Sequence, residues 1–118
     1  MSIERKLVGP RMSDIVIHNN VVYLSGKVPS NLTADIKGQT KEVLDTIDKL
    51  LEQAGSSKSH LLRAEIWLST MNNFAAMNEV WDAWVVPGAT PTRATVEAKL
   101  AKSECLVEIM VTAVVKRF

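Results

Sequence analysis

The sequence predicts an α+β domain of order ββαβαββ, a mixed sheet carrying two helices on one face. Three observations predict it. Five short stretches are rich in β-branched and apolar residues and read as strands, two longer stretches repeat apolar residues at helical spacing, and turn-forming residues separate them. The 118 residues carry no internal repeat and no low-complexity linker, so they form one domain, 1–118. A chain of this length buries roughly two-thirds of its unfolded surface.

Asp14 to His18 reads as the first strand. Asn19 and Asn20 tolerate positive φ, so they make a tight turn into a second strand, Val21 to Ser25. A further N-terminal strand fits Ile3–Leu7. Gly26 and Pro29 mark the exit from the hairpin. The clearest helix runs from about Ala34 to Ala54, with Ile36, Val43, Leu44, Ile47, Leu50 and Leu51 on one side, and Gly55 ends it. Leu61 to Ser69 alternates as a strand. Asn73 is the expected N-cap of a second helix bearing Phe74, Met77, Val80, Trp81 and Trp84, which Pro87-Gly88 stops. Two strands follow, Arg93 to Leu100 and Val107 to Val115.

If the strands flanking each helix run parallel, right-handed crossovers place both helices on the same side of the sheet. The other side then displays Trp67, Leu106, Met110 and Val114. That is more apolar surface than a monomer usually leaves wet, so self-association through it is expected.

Composition removes several classes of function. Net charge is +1 with 14 basic and 13 acidic residues interspersed, which gives no electrostatic footprint for nucleic acid. No apolar run approaches the ~20 residues that span a bilayer. The first residues lack the apolar core of a signal peptide. A lone cysteine, Cys105, cannot form an internal disulfide and is expected as a small packed side chain. The chain is therefore expected to be cytoplasmic. No Gly-rich phosphate loop and no Cys/His cluster with metal spacing occurs. His18 and His60 have no evident nucleophile partner and are expected at the surface.

The segment Pro91-Thr92-Arg93-Ala94-Thr95-Val96-Glu97 puts an arginine at the start of a strand. Arg93, Thr95 and Glu97 share one face, expected to be opposite the apolar row, with successive members about 6–7 Å apart. Arginine offers a planar fork suited to a carboxylate. Spacing alone nevertheless favours a surface ion pair with Glu97 or Glu108, worth little.

The run PTRATVEAKL, followed by LVEIMVTAV, resembles the C-terminal signature of the YjgF/Rid (reactive intermediate deaminase, RidA-like) family. The resemblance extends through YLSGKVP, QTKEVLDTIDKLLEQAG and FAAMNEVWDAW, in order and nearly throughout the chain. It implies the chorismate-mutase-like YjgF fold, a homotrimer whose sheets line a central barrel, and clefts between subunits. It also implies hydrolysis of enamines and imines such as 2-iminobutanoate and 2-iminopropanoate to 2-oxo acids and ammonia, without metal or cofactor. Arg93 matches the arginine that clamps the substrate carboxylate. Ser25 and Gly26 match a Ser-Gly turn lining the cleft, Thr95 a position often held by cysteine, and Asn78 an asparagine that shapes the site.

Two positions depart from that pattern. The familiar Gly-Pro-Tyr is Gly9-Pro10-Arg11, which brings a second cation, Arg11, toward the cleft. The family's V-E-I-E is Val107-Glu108-Ile109-Met110, so the second glutamate is replaced. Glu97 is the candidate proton acceptor. The same pocket also suits a non-catalytic trimer that senses a 2-oxo acid. RNA cleavage, sometimes attached to the family, is disfavoured by near-neutral charge.

Overall fold

A computed structural model describes residues 2–116. Among these residues six strands form one sheet: β1 (Glu4–Val8), β2 (Ser13–His18), β3 (Val21–Leu24), β4 (Leu61–Leu68), β5 (Thr92–Glu97) and β6 (Val107–Val114). Two helices, α1 (Ile36–Gln53) and α2 (Phe74–Trp84), complete the domain. The spatial order is β1-β2-β3-β6-β4-β5. Only β4 and β5 pair parallel; every other neighbouring pair is antiparallel. Because β3 and β4 both run against β6, they are parallel to each other, which meets the condition set for the α1 crossover.

The β2–β3 turn has φ 52° at Asn19 and 67° at Asn20, the left-handed pair that a two-residue hairpin requires. Asp35 caps α1, its Oδ1 accepting from the Gly38 amide at 2.9 Å. At the other end the Ser56 amide donates to Leu51 O at 2.8 Å and Gly55 to Glu52 O at 3.0 Å. This is a Schellman closure, and it needs the positive φ of 78° that Gly55 supplies. Asn73 does precede α2, but its side chain makes no capping bond. A short 3-10 turn, Met71–Asn73, leads into the helix instead, with Thr70 Oγ1 accepting from the Asn72 amide at 3.2 Å.

The core lies between helices and sheet. Val43, Leu44, Ile47 and Leu51 of α1 and Met77, Trp81 and Trp84 of α2 meet Ile15, Val22, Ile66, Leu68, Val107, Ile109 and Val111. Polar groups in this core are paired: buried Gln39 donates to Ala34 O and Glu104 O and accepts from the Leu106 amide. Cys105 is buried, as expected of a packed side chain.

Among the described residues, no helix covers the far face of the sheet. Registers place Val21, Tyr23, Thr112, Val114, Met110, Glu108, Trp67 and Val96 there, with Tyr23 and Val96 each about half exposed. Leu106, expected on that face, instead packs against the core. β5 ends at Glu97 rather than Leu100, because its only partner, β4, ends at Leu68.

Candidate functional site

Arg93 reaches across the helix-covered face, not the face expected for it. Parallel pairing sets Ala64 beside Arg93, Ile66 beside Thr95 and Leu68 beside Glu97. The strand residues of that face therefore look toward α2, while Ala94 and Val96 look outward. Arg93 is partly buried where the edge strand β5 meets α2. The Arg93 guanidinium lies over Trp81, 5.4 Å from the ring centroid, and 5.8 Å from that of Phe74. Its Nη1 donates to Asn78 Oδ1 at 2.8 Å.

No carboxylate lies within ion-pair distance of Arg93 among the described residues, so the pairing with Glu97 or Glu108 is not formed. Burial pulls the guanidinium below its ordinary pKa, and the Asp82 charge pulls the other way. Arginine stays cationic through such shifts. Below it on the strand, Thr95 Oγ1 is buried with no hydrogen-bond partner among the described residues. A cation held by a neutral amide, over an unsatisfied hydroxyl, is an incomplete set of donors. A buried polar group without a partner costs stability, so a guest bearing acceptor oxygens suits this place.

Glu97 is turned elsewhere. Its Oε1 accepts from the Met71 amide at 2.9 Å, tying β5 to the turn before α2.

A second cluster sits at the exit of β3. Ser25 Oγ donates to Asp14 Oδ1 at 3.2 Å, and Lys27 Nζ donates to the same oxygen at 2.7 Å. The Asp14 carboxyl is held below its ordinary value of 3.8, first by the Lys27 hydrogen bond, with burial opposing. Lys27 bridges to Ile109 of β6 through backbone bonds of 2.8 and 3.0 Å. That bridge brings Gly26 under Glu108, and a Cβ added to Gly26 would collide with the Glu108 carboxylate. Glycine is therefore what lets this carboxylate lie against the loop. The sequence offers Glu108 only as an ion-pair partner for Arg93; a Ser-Gly turn opposite a strand glutamate is the local signal for the Gly26–Glu108 approach.

One chain does not bring the two clusters together. Ser25 and Gly26 follow β3, and Arg93 begins β5, three strand spacings away in the order β3-β6-β4-β5; each step is about 4.8 Å. Glu108 also points to the open face and Arg93 to the helical one. Arg11 is further still, exposed in the β1–β2 turn at the opposite edge.

Comparison with known proteins supplies context for this geometry. A family model described as Endoribonuclease L-PSP matches residues 7–115. The RutC family protein YoaB of Escherichia coli is 50% identical over 115 residues, covering 98% of this chain and 100% of the relative. A RutC family protein of Haemophilus influenzae is 47% identical over 114 residues, covering 96% and 98%. Among solved structures, a YjgF-family protein from Neisseria meningitidis superimposes with a TM-score of 0.97 at 47% identity, covering 100% of this chain and 98% of that one.

Proposed function

The chain belongs to the YjgF/Rid family, the family described as Endoribonuclease L-PSP, and from that premise we propose that it hydrolyses 2-imino acids to 2-oxo acids and ammonia in clefts between the subunits of a homotrimer. The observation that supports this is the partly buried Arg93 guanidinium, presented by Asn78 and without an ion-paired carboxylate among the described residues.

The two clusters have complementary chemistry. Arg93 and Thr95 offer a cation and a hydroxyl unpaired among the described residues, fit for a carboxylate. The β3 exit offers the Glu108 carboxylate beside Gly26 and the Ser25 hydroxyl, fit for a cationic nitrogen. A 2-iminium carboxylate carries both groups on adjacent carbons. Since one chain keeps the clusters apart, a neighbouring copy must supply the second, and the uncovered sheet face gives copies a surface to share.

The iminium carbon is already electrophilic, so positioning supplies much of the rate. Arg93 grips the carboxylate bidentately, with Thr95 beside it. A water adds to the imine carbon: the C–O bond forms as the C=N π pair moves to nitrogen, and one water proton passes to a base. The base returns that proton to nitrogen and takes up the hydroxyl proton as the C–N bond of the carbinolamine breaks, leaving the 2-oxo acid and ammonia. Glu108, whose carboxylate has no hydrogen-bond partner among the described residues, suits the base role better than Glu97, which is engaged by Met71. Arg11 enters this cleft only from another copy, where it would favour imino acids with a second acidic group. Nothing in this chemistry asks for a metal, and a net charge of +1 gives RNA phosphates little to hold.

An amino-acid oxidase that generates imines in the presence of a trapping amine provides the test. The native protein lowers the yield of trapped adduct. Arg93→Ala reduces kcat/KM by about 100-fold, the scale of a lost charge-assisted bidentate contact. Equal competition by the native protein and the variant overturns the proposal. Tight binding of a 2-oxo acid with no faster imine loss would favour the sensing role instead.

A further inference from the structure

The Ser25 hydroxyl has one proton and two lone pairs. The proton is directed at Asp14 Oδ1, the oxygen that also receives the Lys27 ammonium. An ionised carboxylate has no proton to return, so this hydrogen bond runs in one direction only. The Lys27 contact, at 2.7 Å, keeps Asp14 ionised and in place. What remains for a guest is the lone-pair side of Ser25.

We propose that Asp14, fixed by Lys27, is a positioning residue that makes Ser25 an acceptor-only group and so selects the N–H of a protonated imine over the carbonyl of the product. The inference rests on imine hydrolysis at this site. Substrate and product differ where Ser25 faces them: an iminium nitrogen donates, whereas a ketone oxygen offers only lone pairs. Two acceptors facing each other repel. The same arrangement that holds substrate therefore helps release product, and neither Asp14 nor Lys27 needs to touch the substrate to do this.

Two readouts separate this from a merely structural role for the Asp14–Lys27 pair. Asp14→Ala and Ser25→Ala should each lower kcat/KM for imine hydrolysis about tenfold, as expected for loss of one hydrogen bond to a charged group. Affinity for a 2-oxo acid such as 2-oxobutanoate, by calorimetry, should hold or rise, because the repulsion is removed and, in Asp14→Ala, the freed Ser25 hydroxyl can donate to the ketone oxygen. The double variant should be no slower than either single one, because Asp14 acts through Ser25. Asp14→Asn, which keeps an acceptor oxygen, should recover most of the loss. A parallel fall in 2-oxo acid binding marks the pair as structural and overturns the proposal, as does a double variant whose losses multiply. Absence of imine turnover by the native protein instead removes the functional premise, and this inference with it.

Discussion

Gly26 leaves room for the Glu108 carboxylate, which a side chain would meet. A methyl group there meets the end of the Glu108 side chain, not backbone, so the carboxylate can swing aside at small cost to the fold. Gly26→Ala should therefore leave the unfolding midpoint within a few degrees while lowering kcat/KM at least tenfold, because the base is displaced. A calorimetric scan beside the imine assay checks it; equal losses in both would mean the loop itself collapses. Spacing alone reads Arg93 as a surface ion pair, and it is the family resemblance of the run PTRATVEAKL that marks it as a candidate site residue. Which way it faces was not legible in the sequence. Alternation fixes that Arg93, Thr95 and Glu97 share a side, but only pairing with Ala64, Ile66 and Leu68 fixes which side that is. Glu108 was hidden for a related reason: its approach to Gly26 depends on the Lys27–Ile109 bridge, a contact between residues far apart in the chain.

At the scale of elements, α1 is held to the segment before it by a carboxylate. Glu42 accepts from the Ser30 amide at 2.7 Å and the Asn31 amide at 3.0 Å. These two donors hold its pKa below the ordinary 4.5. A depressed folded-state value means the contact contributes fully above pH 4.5 and is lost as pH falls through the lower, folded value. The Ser30 and Asn31 amide resonances should therefore shift together with a common midpoint below 4.5. Glu42→Gln should abolish that step; a midpoint at or above 4.5 contradicts the assignment. Element identity was mostly readable, because helical periodicity and the Asn19-Asn20 turn are local signals. The start of α2 was less so. Asn73 stands where a cap belongs, yet Thr70 and Glu97 hold the turn before the helix, and Glu97 arrives from a distant strand.

For the whole molecule the decisive feature is the sheet face without helices. Trp67, Met110 and Val114 lie there partly exposed, beside half-exposed Tyr23 and Val96. None of them belongs to the core. Trp67→Glu should thus leave the far-ultraviolet circular dichroism unchanged but convert an oligomer to monomer in sedimentation, abolishing imine turnover because the clusters part. A variant that stays assembled, or a native protein that sediments as a monomer, would refute the shared cleft. The sequence predicted two helices on one face, which the sheet bears out, but not the strand order. β6 comes last in the chain and sits between β3 and β4. Its composition hinted at this: Val107, Ile109, Val111 and Ala113 face the core while Met110 and Val114 keep the other side apolar, as a central strand allows.

The three tryptophans occupy three different situations. Trp84 donates its indole N–H to Asp48 at 3.0 Å, Trp67 lies on the open sheet, and Trp81 lies beneath the Arg93 guanidinium. An indole's emission responds to charge moved across its ring, so a guest neutralising that cation changes the light from Trp81 and from Trp84, whose ring centroid is 5.3 Å away. With Trp67 replaced by phenylalanine, the emission that remains would report on any anion that settles on Arg93, with no dye attached.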